Sequence, residues 1–322
     1  MKTAIRLRSA LALFGLCFLA LSLAAEPSAR FVWAATGPAK DPLKSVVAVR
    51  ASPDGRIWVA DASDRFFVFD RNGAFLETWG SSGTGPGQFT FHYAHPGNQQ
   101  MFVADFLFLP DGSLLVGDLD GRIQRFDKNR RFLGEWASVQ GKGVPVLSLT
   151  PYAQGEVLVA FLNRPDLYRY DYEGRYLGVY LEHPLQESDW EITGKRGQPG
   201  GVAFDARGRV YLGDSGARKQ IRVFDAGGKQ VGSLRVGAPN LPLADPGSML
   251  FDRKGNLFVS DQKASRVVVF GPDGQFLLAF GGRGHGDGQF NWTSGLALDD
   301  SGGVYAGDWY GYRLLKFELG GL

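Results

Sequence analysis

One short pattern recurs six times along the chain. It reads WVAD at Trp58–Asp61, LVGD at Leu115–Asp118, LVAF at Leu158–Phe161, YLGD at Tyr211–Asp214, FVSD at Phe258–Asp261 and YAGD at Tyr305–Asp308. Six residues before the end of each run stands a glycine: Gly55, Gly112, Gly155, Gly208, Gly255 and Gly302. Eight to ten residues after it stands an aromatic: Phe69, Phe126, Tyr170, Phe224, Phe270 and Phe317. The runs end 43 to 57 residues apart, and self-similarity at such a period marks a repeat architecture.

The fifth repeat shows what one unit must be. Gly247–Asp252 is a short apolar strand, followed by a turn at Gly255, and Asn256–Asp261 is a second strand. Arg266–Phe270 makes a third strand, Pro272-Asp273-Gly274 a turn, and Gln275–Phe280 a fourth. Four strands joined by glycine-bearing hairpins form one twisted antiparallel sheet, and the first hairpin glycine sits where a positive φ is needed. Each run places a large residue at its start (Trp58, Leu115, Leu158, Tyr211, Phe258, Tyr305). Each places a small one next to last (Ala60, Gly117, Ala160, Gly213, Ser260, Gly307). That alternation suits sheets packed face to face, the small residue admitting its neighbour's bulk. Six such sheets bury both faces only by circling, so the expected fold is all-β, a six-bladed β-propeller. The sixth repeat runs out after its third strand. Trp33-Ala-Ala-Thr-Gly37 matches the fourth-strand end Trp79-Gly-Ser-Ser-Gly83, so residues 30–36 are expected to close the last blade.

Residues 1–24 read as a signal peptide. Lys2, Arg6 and Arg8 precede an apolar stretch from Ala10 to Leu23, and Ser22 and Ala24 suit the −3 and −1 positions of a cleavage site. Leu16 is large where a lipid-attachment motif at Cys17 wants a small residue. Residues 25–322 are then the propeller, expected as an exported, periplasmic or secreted monomer with no membrane anchor after cleavage. Loss of three cations and no acid takes the net charge from +2 to −1. A near-neutral domain lacks the basic footprint of nucleic-acid binding. The mature chain has no cysteine, so packing alone holds it together.

The turn glycine, the V-x-D strand end, the R-I-x-x-F-D strand and the closing G-x-G-x-F together resemble the NHL-repeat propeller family. The matching residues are Gly112, Val116-Gly-Asp118, Arg122-Ile-Gln-Arg-Phe-Asp127, Gly85-Pro-Gly-Gln-Phe89 and Gly286-Asp-Gly-Gln-Phe290. The resemblance spans residues 30–322 and implies the fold. For function it implies several alternatives, since that family includes RNA-binding modules, protein-binding platforms and a class of zinc lyase. Repeat three departs most, with Phe161 in place of the aspartate and Asp166 in place of the usual arginine.

In a propeller the connections from fourth to next first strand share one face with the turns between second and third strands. All four histidines (His92, His95, His183, His285) and Trp190 and Trp292 lie in those connections, two of which, Thr90–Met101 and Leu181–Pro199, are long. Binding residues concentrate on loops held by a rigid scaffold, so this face is the candidate site. The run Trp309-Tyr310-Gly311-Tyr312 and Phe161 are expected on the same rim, forming with Trp190 and Trp292 an aromatic lip for a sugar or an apolar side chain. His92 and His95, three apart, raise a zinc alternative. The zinc lyases of this fold, however, carry histidines at first-strand mouths where this chain has Gly200-Gly201, Gly247-Ser248 and Ser294-Gly295. The five motif-end aspartates (Asp61, Asp118, Asp214, Asp261, Asp308) read as scaffold, capping turns, with an arginine to pair in four blades (Arg65, Arg122, Arg266, Arg313). Near the axis Asp105 and Arg50 are the only charged members of their six-fold sets, and they are expected to pair. The function expected is a non-catalytic binding propeller for a protein, peptide or glycan, with no cofactor. The alternative is a metal-dependent propeller enzyme, a zinc lyase or calcium-dependent hydrolase.

Overall fold

Each repeat folds into the four-stranded antiparallel sheet that its pattern predicts. A computed structural model describes residues 25–94, 100–102, 105–139, 143–153, 155–162, 164, 166–182, 199–214, 219–235 and 243–322. Blade 1 comprises Val46–Ala51, Ile57–Asp61, Arg65–Phe69 and Phe75–Trp79. Blade 2 comprises Asp105–Phe108, Leu114–Gly117, Arg122–Phe126 and Phe132–Ala137, and blade 3 Val146–Pro151, Glu156–Phe161, Leu167–Asp171 and Tyr176–Leu181. Blade 4 comprises Pro199–Phe204, Val210–Asp214, Gln220–Phe224 and Gln230–Leu234, and blade 5 Pro246–Phe251, Leu257–Asp261, Arg266–Phe270 and Phe276–Gly281. Blade 6 contains Thr293–Leu298, Val304–Asp308 and Arg313–Gly320, and Ser28–Ala35 completes it as the fourth strand.

That closure is the clasp anticipated for residues 30–36, two residues longer at its start. Phe31 is paired with Phe317 in register, their rings edge-on at 6.0 Å, and Trp33 lies against Tyr305 at 5.9 Å. First strands of neighbouring blades lie against one another round the ring, including those of blades 6 and 1. No helix long and apolar enough to cross a membrane occurs among the described residues.

The hairpin glycines do what was asked of them: all six take φ between +75° and +87°. A second device holds the turns between third and fourth strands in blades 1 to 4 and reinforces the first hairpins of blades 4 and 5. Asp70, Asp127, Asp171, Asp205, Asp225 and Asp252 each accept backbone N–H groups two and four residues on, as Asp252 does from Lys254 at 2.9 Å and Asn256 at 2.8 Å. Aspartate suits this because its short carboxylate reaches its own backbone and substitutes for a missing ladder bond.

The core is divided into six apolar clusters, one at each junction between blades. At the first junction Trp58 packs edge-on against Phe108 of blade 2 at 5.4 Å; at the fourth Tyr211 packs on Phe251 at 4.9 Å. Opposite these bulky groups backbones approach closely. A Cβ on Gly117 would lie 2.4 Å from Val146, one on Gly307 2.3 Å from Val46, and one on Gly201 2.0 Å from the Gly247 carbonyl. The large-then-small alternation is therefore an inter-blade contact rule. Each buried Phe or Leu contributes about 1.5–3 kcal/mol.

Candidate functional site

The face bearing the long connections is assembled by the repeat aspartates. Asp61, Asp118, Asp214, Asp261 and Asp308 are all at most 1 % exposed. Asp61 accepts the N–H groups of Lys44 (2.8 Å) and Ser45 (3.0 Å), Asp261 those of Ala244 and Asp245, and Asp308 those of Asn291 and Trp292. A carboxylate at the end of the second strand thus ties down the loop that leads into its own blade. The arginines finish the job. Arg122 bonds Asp118, Arg266 bonds Asp261 and Arg313 bonds Asp308, while Arg122 and Arg313 also donate to carbonyls of the Gly-x-Gly-Gln-Phe loops, at Gln88 and Gln289. Arg65 departs from the expected pairing and binds Asp41 at 2.6 Å; in blade 4 the partner of Asp214 is Arg222. Burial pushes the carboxyls of Asp61 and Asp118 up, against hydrogen bonds from Ser63 and Arg122. These aspartates are scaffold.

Phe161 is corrected by the structure. It is fully buried, its ring 5.5 Å from Tyr168 within the cluster joining blades 2 and 3, and it offers nothing to a ligand. Phe161 occupies the position that is a buried aspartate elsewhere in the repeat, so the substitution exchanges a hydrogen-bonded staple for packing and leaves the position inside.

Near the axis Arg50 and Asp105 meet, an Arg50 terminal nitrogen 2.6 Å from Asp105 Oδ1. Asp105 is almost fully buried. Its Oδ1 also accepts the N–H of Phe106 (2.9 Å), and its Oδ2 that of Leu149 in blade 3 (2.9 Å). Burial pushes this carboxyl up despite Arg50 and the two N–H donors. Arg50 also donates to the Val49 carbonyl at 3.0 Å and reaches the Leu296 carbonyl of blade 6 at 3.5 Å. Thr150 donates to the Val202 carbonyl of blade 4, and the Leu296 N–H donates to Ser248. One pair thereby cross-links blades 6, 1, 2 and 3 at the centre of the ring. Both oxygens of Asp105 are engaged, so its chemistry is structural here. Among the described residues no group of three or more His, Cys, Asp or Glu is placed to hold a metal ion.

The aromatic residues of blade 6 do converge. Trp292 and Tyr310 meet edge-on at 6.0 Å, Trp309 and Tyr310 lie 6.2 Å apart, and the Trp309 N–H donates to the Trp292 carbonyl at 2.8 Å. Ser45, in the lead-in loop of blade 1, donates its hydroxyl to the Trp309 carbonyl at 2.8 Å. Tyr310 is 48 % exposed and Tyr312 49 %. His285 is exposed, and its carbonyl accepts from Arg313 at 3.0 Å. His92 lies on the same face near blade 2, its N–H donated to Asp64 at 3.1 Å; residues 92–94 and 100–102 pair as a small hairpin where a plain loop was expected. His95, His183 and Trp190 lie outside the described residues. Tyr312 ends the same Trp309–Tyr312 turn and carries a legible signal: it directly precedes the repeat arginine, where blades 1, 2 and 5 have Asp64, Gly121 and Ser265.

No protein-family model matches the chain, and no curated protein matches it. Solved structures do. A streptogramin B lyase superposes with a TM-score of 0.61 at 11% identity, covering 91% of this chain and 98% of that one. A catalytically inactive variant of virginiamycin B lyase from Staphylococcus aureus with quinupristin has a TM-score of 0.56 at 11% identity, over 90% of this chain and 85% of that one. XC5397 from Xanthomonas campestris, described as a gluconolactonase, has a TM-score of 0.61 at 15% identity, over 86% of each. The protein is a six-bladed β-propeller whose structural neighbours of this type include enzymes, and at these identities the likeness is one of fold.

Proposed function

We propose that this protein is an exported, non-catalytic propeller of NHL type that binds a protein, peptide or glycan on its loop-bearing face, with the blade 6 sector as the contact. The observation that carries this reading is the convergence of Trp292, Trp309 and Tyr310 from two loops. Aromatic rings partly exposed beside rigid strands supply contact area at low entropic cost. The axial charges support it as well, since Arg50 and Asp105 are spent on each other and on backbone groups. Peptide and glycan arrays probed with the mature protein test it. A selective ligand is expected, and Trp292→Ala or Tyr310→Ala should abolish its capture; capture unchanged by both would overturn the reading.

The second reading, a metal-dependent propeller enzyme, draws on the lyase and gluconolactonase neighbours. The described residues support it less, as both oxygens of Asp105 already accept hydrogen bonds and the equivalent first-strand positions are Ala48, Ser148, Gly201, Ser248 and Gly295, none of which adds a carboxylate or imidazole. Elemental analysis of purified protein separates the two. A stoichiometric zinc or calcium lost on replacing His92 or Asp105 would favour the enzyme.

A further inference from the structure

Tyr312 holds its backbone in the left-handed region, at φ +56°, where a side chain is disfavoured. The residue before the third strand adopts a left-handed φ in blades 1, 2, 4, 5 and 6: Asp64 at +60°, Gly121 at +74°, Lys219 at +46°, Ser265 at +55°. Two of the others use the position to stitch the ring. Asp64 accepts the N–H groups of Phe91 and His92, and the Ser265 hydroxyl donates to the Asn291 carbonyl, each in the loop leading into the next blade. Tyr312 has no such bond among the described residues and stands half exposed, two residues from Tyr310. A large ring held in a costly conformation, without a structural return, is a functional signal.

The surroundings specify the ligand. The turn of Trp309–Tyr312 is flanked by two lead-in loops, 282–292 of blade 6 and 37–45 of blade 1. The first exposes Arg283, His285 and Asp287, the second Lys40 and Lys44, while Asp41 is neutralised by Arg65 at 2.6 Å and held below the usual carboxylate range by that bond. On the blade 1 side Lys40 and Lys44 face no free carboxylate, and on the blade 6 side Arg283 balances Asp287, so the turn sits in a net positive surround. Two half-exposed tyrosines two residues apart suit the flat C–H face of a pyranose and its hydroxyls. An apolar peptide anchor is instead bound in a recessed, desolvated pocket. We infer that Tyr310 and Tyr312 form a stacking platform for an acidic glycan, with Lys40, Lys44 and Arg283 receiving its uronate carboxylates. The inference rests on blade 6 being the binding face.

The test is titration of the mature protein with polygalacturonate, alginate and hyaluronate, beside poly-L-glutamate and neutral dextran, followed by tryptophan fluorescence. At least one uronate chain should bind at least tenfold more tightly than either control, and more weakly as salt rises. Tyr312→Gly should lower that affinity at least tenfold while raising Tm by about 2 °C, because glycine relieves the left-handed strain. Tyr312→Phe, keeping the ring, should retain most of the binding. Failure of all three uronates to bind, equal binding of poly-L-glutamate or dextran, or an unaltered affinity in Tyr312→Gly would each overturn the inference. Loss of an array ligand in Trp292→Ala without any change in Tyr312→Gly leaves the blade 6 face standing and this inference fallen.

Discussion

Blades 3 and 6 each break the repeat with aromatic side chains around the same corner, and they do so to opposite effect. In blade 3 Phe161 replaces the motif aspartate and disappears into the junction with blade 2. In blade 6 the aspartate is kept: Asp308 bonds the N–H groups of Asn291, Trp292 and Gly311 and the Arg313 guanidinium, and the added aromatics Trp309, Tyr310 and Tyr312 sit on the turn beyond it. The difference lies in which way the position faces. The end of the second strand points inward whatever occupies it, whereas the turn after it projects past the sheet. A departure from a repeat signals function only where the scaffold presents the position to solvent.

Truncating an aromatic at each corner, Phe161 or Tyr310, should give stability losses that differ by close to an order of magnitude. Phe161→Ala is expected to cost about 3–5 kcal/mol, as a buried ring leaves a cavity, and Phe161→Asp to cost at least as much, because Asp166 stands where a compensating arginine would. Adding Asp166→Arg to Phe161→Asp should recover part of the loss in a double-mutant cycle by chemical denaturation. No recovery would mean that blade 3 has lost the staple geometry altogether.

Asp308→Ala follows, at about 2–4 kcal/mol, since it strands three backbone donors and an arginine. Its effect should extend to the lip, loosening Trp292 and Trp309, read as a red shift in tryptophan emission.

A pH profile of stability gives the next contrast. Burial raises Asp61 and Asp118 above 3.8, so their contribution is fullest below that value and declines as pH rises through their folded values. Asp299 is different. Burial alone would raise it, but Ser301, Tyr305 and the Gly303 N–H hold it lower, so its contribution is present above 3.8 and lost as pH falls below. Asp118→Asn should flatten the thermal-stability profile above pH 3.8, and Asp299→Asn the profile below it. An unchanged slope in either variant would remove that carboxyl from the account.

Smallest of all, Tyr310→Ala should change stability by no more than about 0.5 kcal/mol while altering ligand capture, as expected of an exposed group. A loss of several kcal/mol would make Tyr310 a packing residue like Phe161.

Much of this was legible because the relevant physics is local or periodic. Gly55 and its five equivalents announce a positive φ wherever the chain folds back. The match of Trp33 to Trp79 revealed the missing strand of blade 6 but not its register. Ala35 stands opposite Leu314 as Trp79 does opposite Phe66, and Trp33 takes the place of Glu77. The isolation of Arg50 and Asp105 in their six-fold sets revealed their pairing. The actual partner of Arg65 was not legible, because Asp41 reaches it across a loop that no period governs. Phe161 misled because the sequence states that an exception exists without stating its exposure. The left-handed backbone of Tyr312 was not legible, because it is visible only once the turn has been built.

The sequence by itself determined the repeat, the blade count, the hairpin positions and the closure, since strand alternation, turn glycines and apolar mass are properties of short segments. The tertiary structure alone decided which irregular residues face solvent, that Asp105 accepts hydrogen bonds from three blades, and that rings from separate loops meet at blade 6. Those outcomes depend on distances between segments far apart in the chain, and only the closed ring sets them.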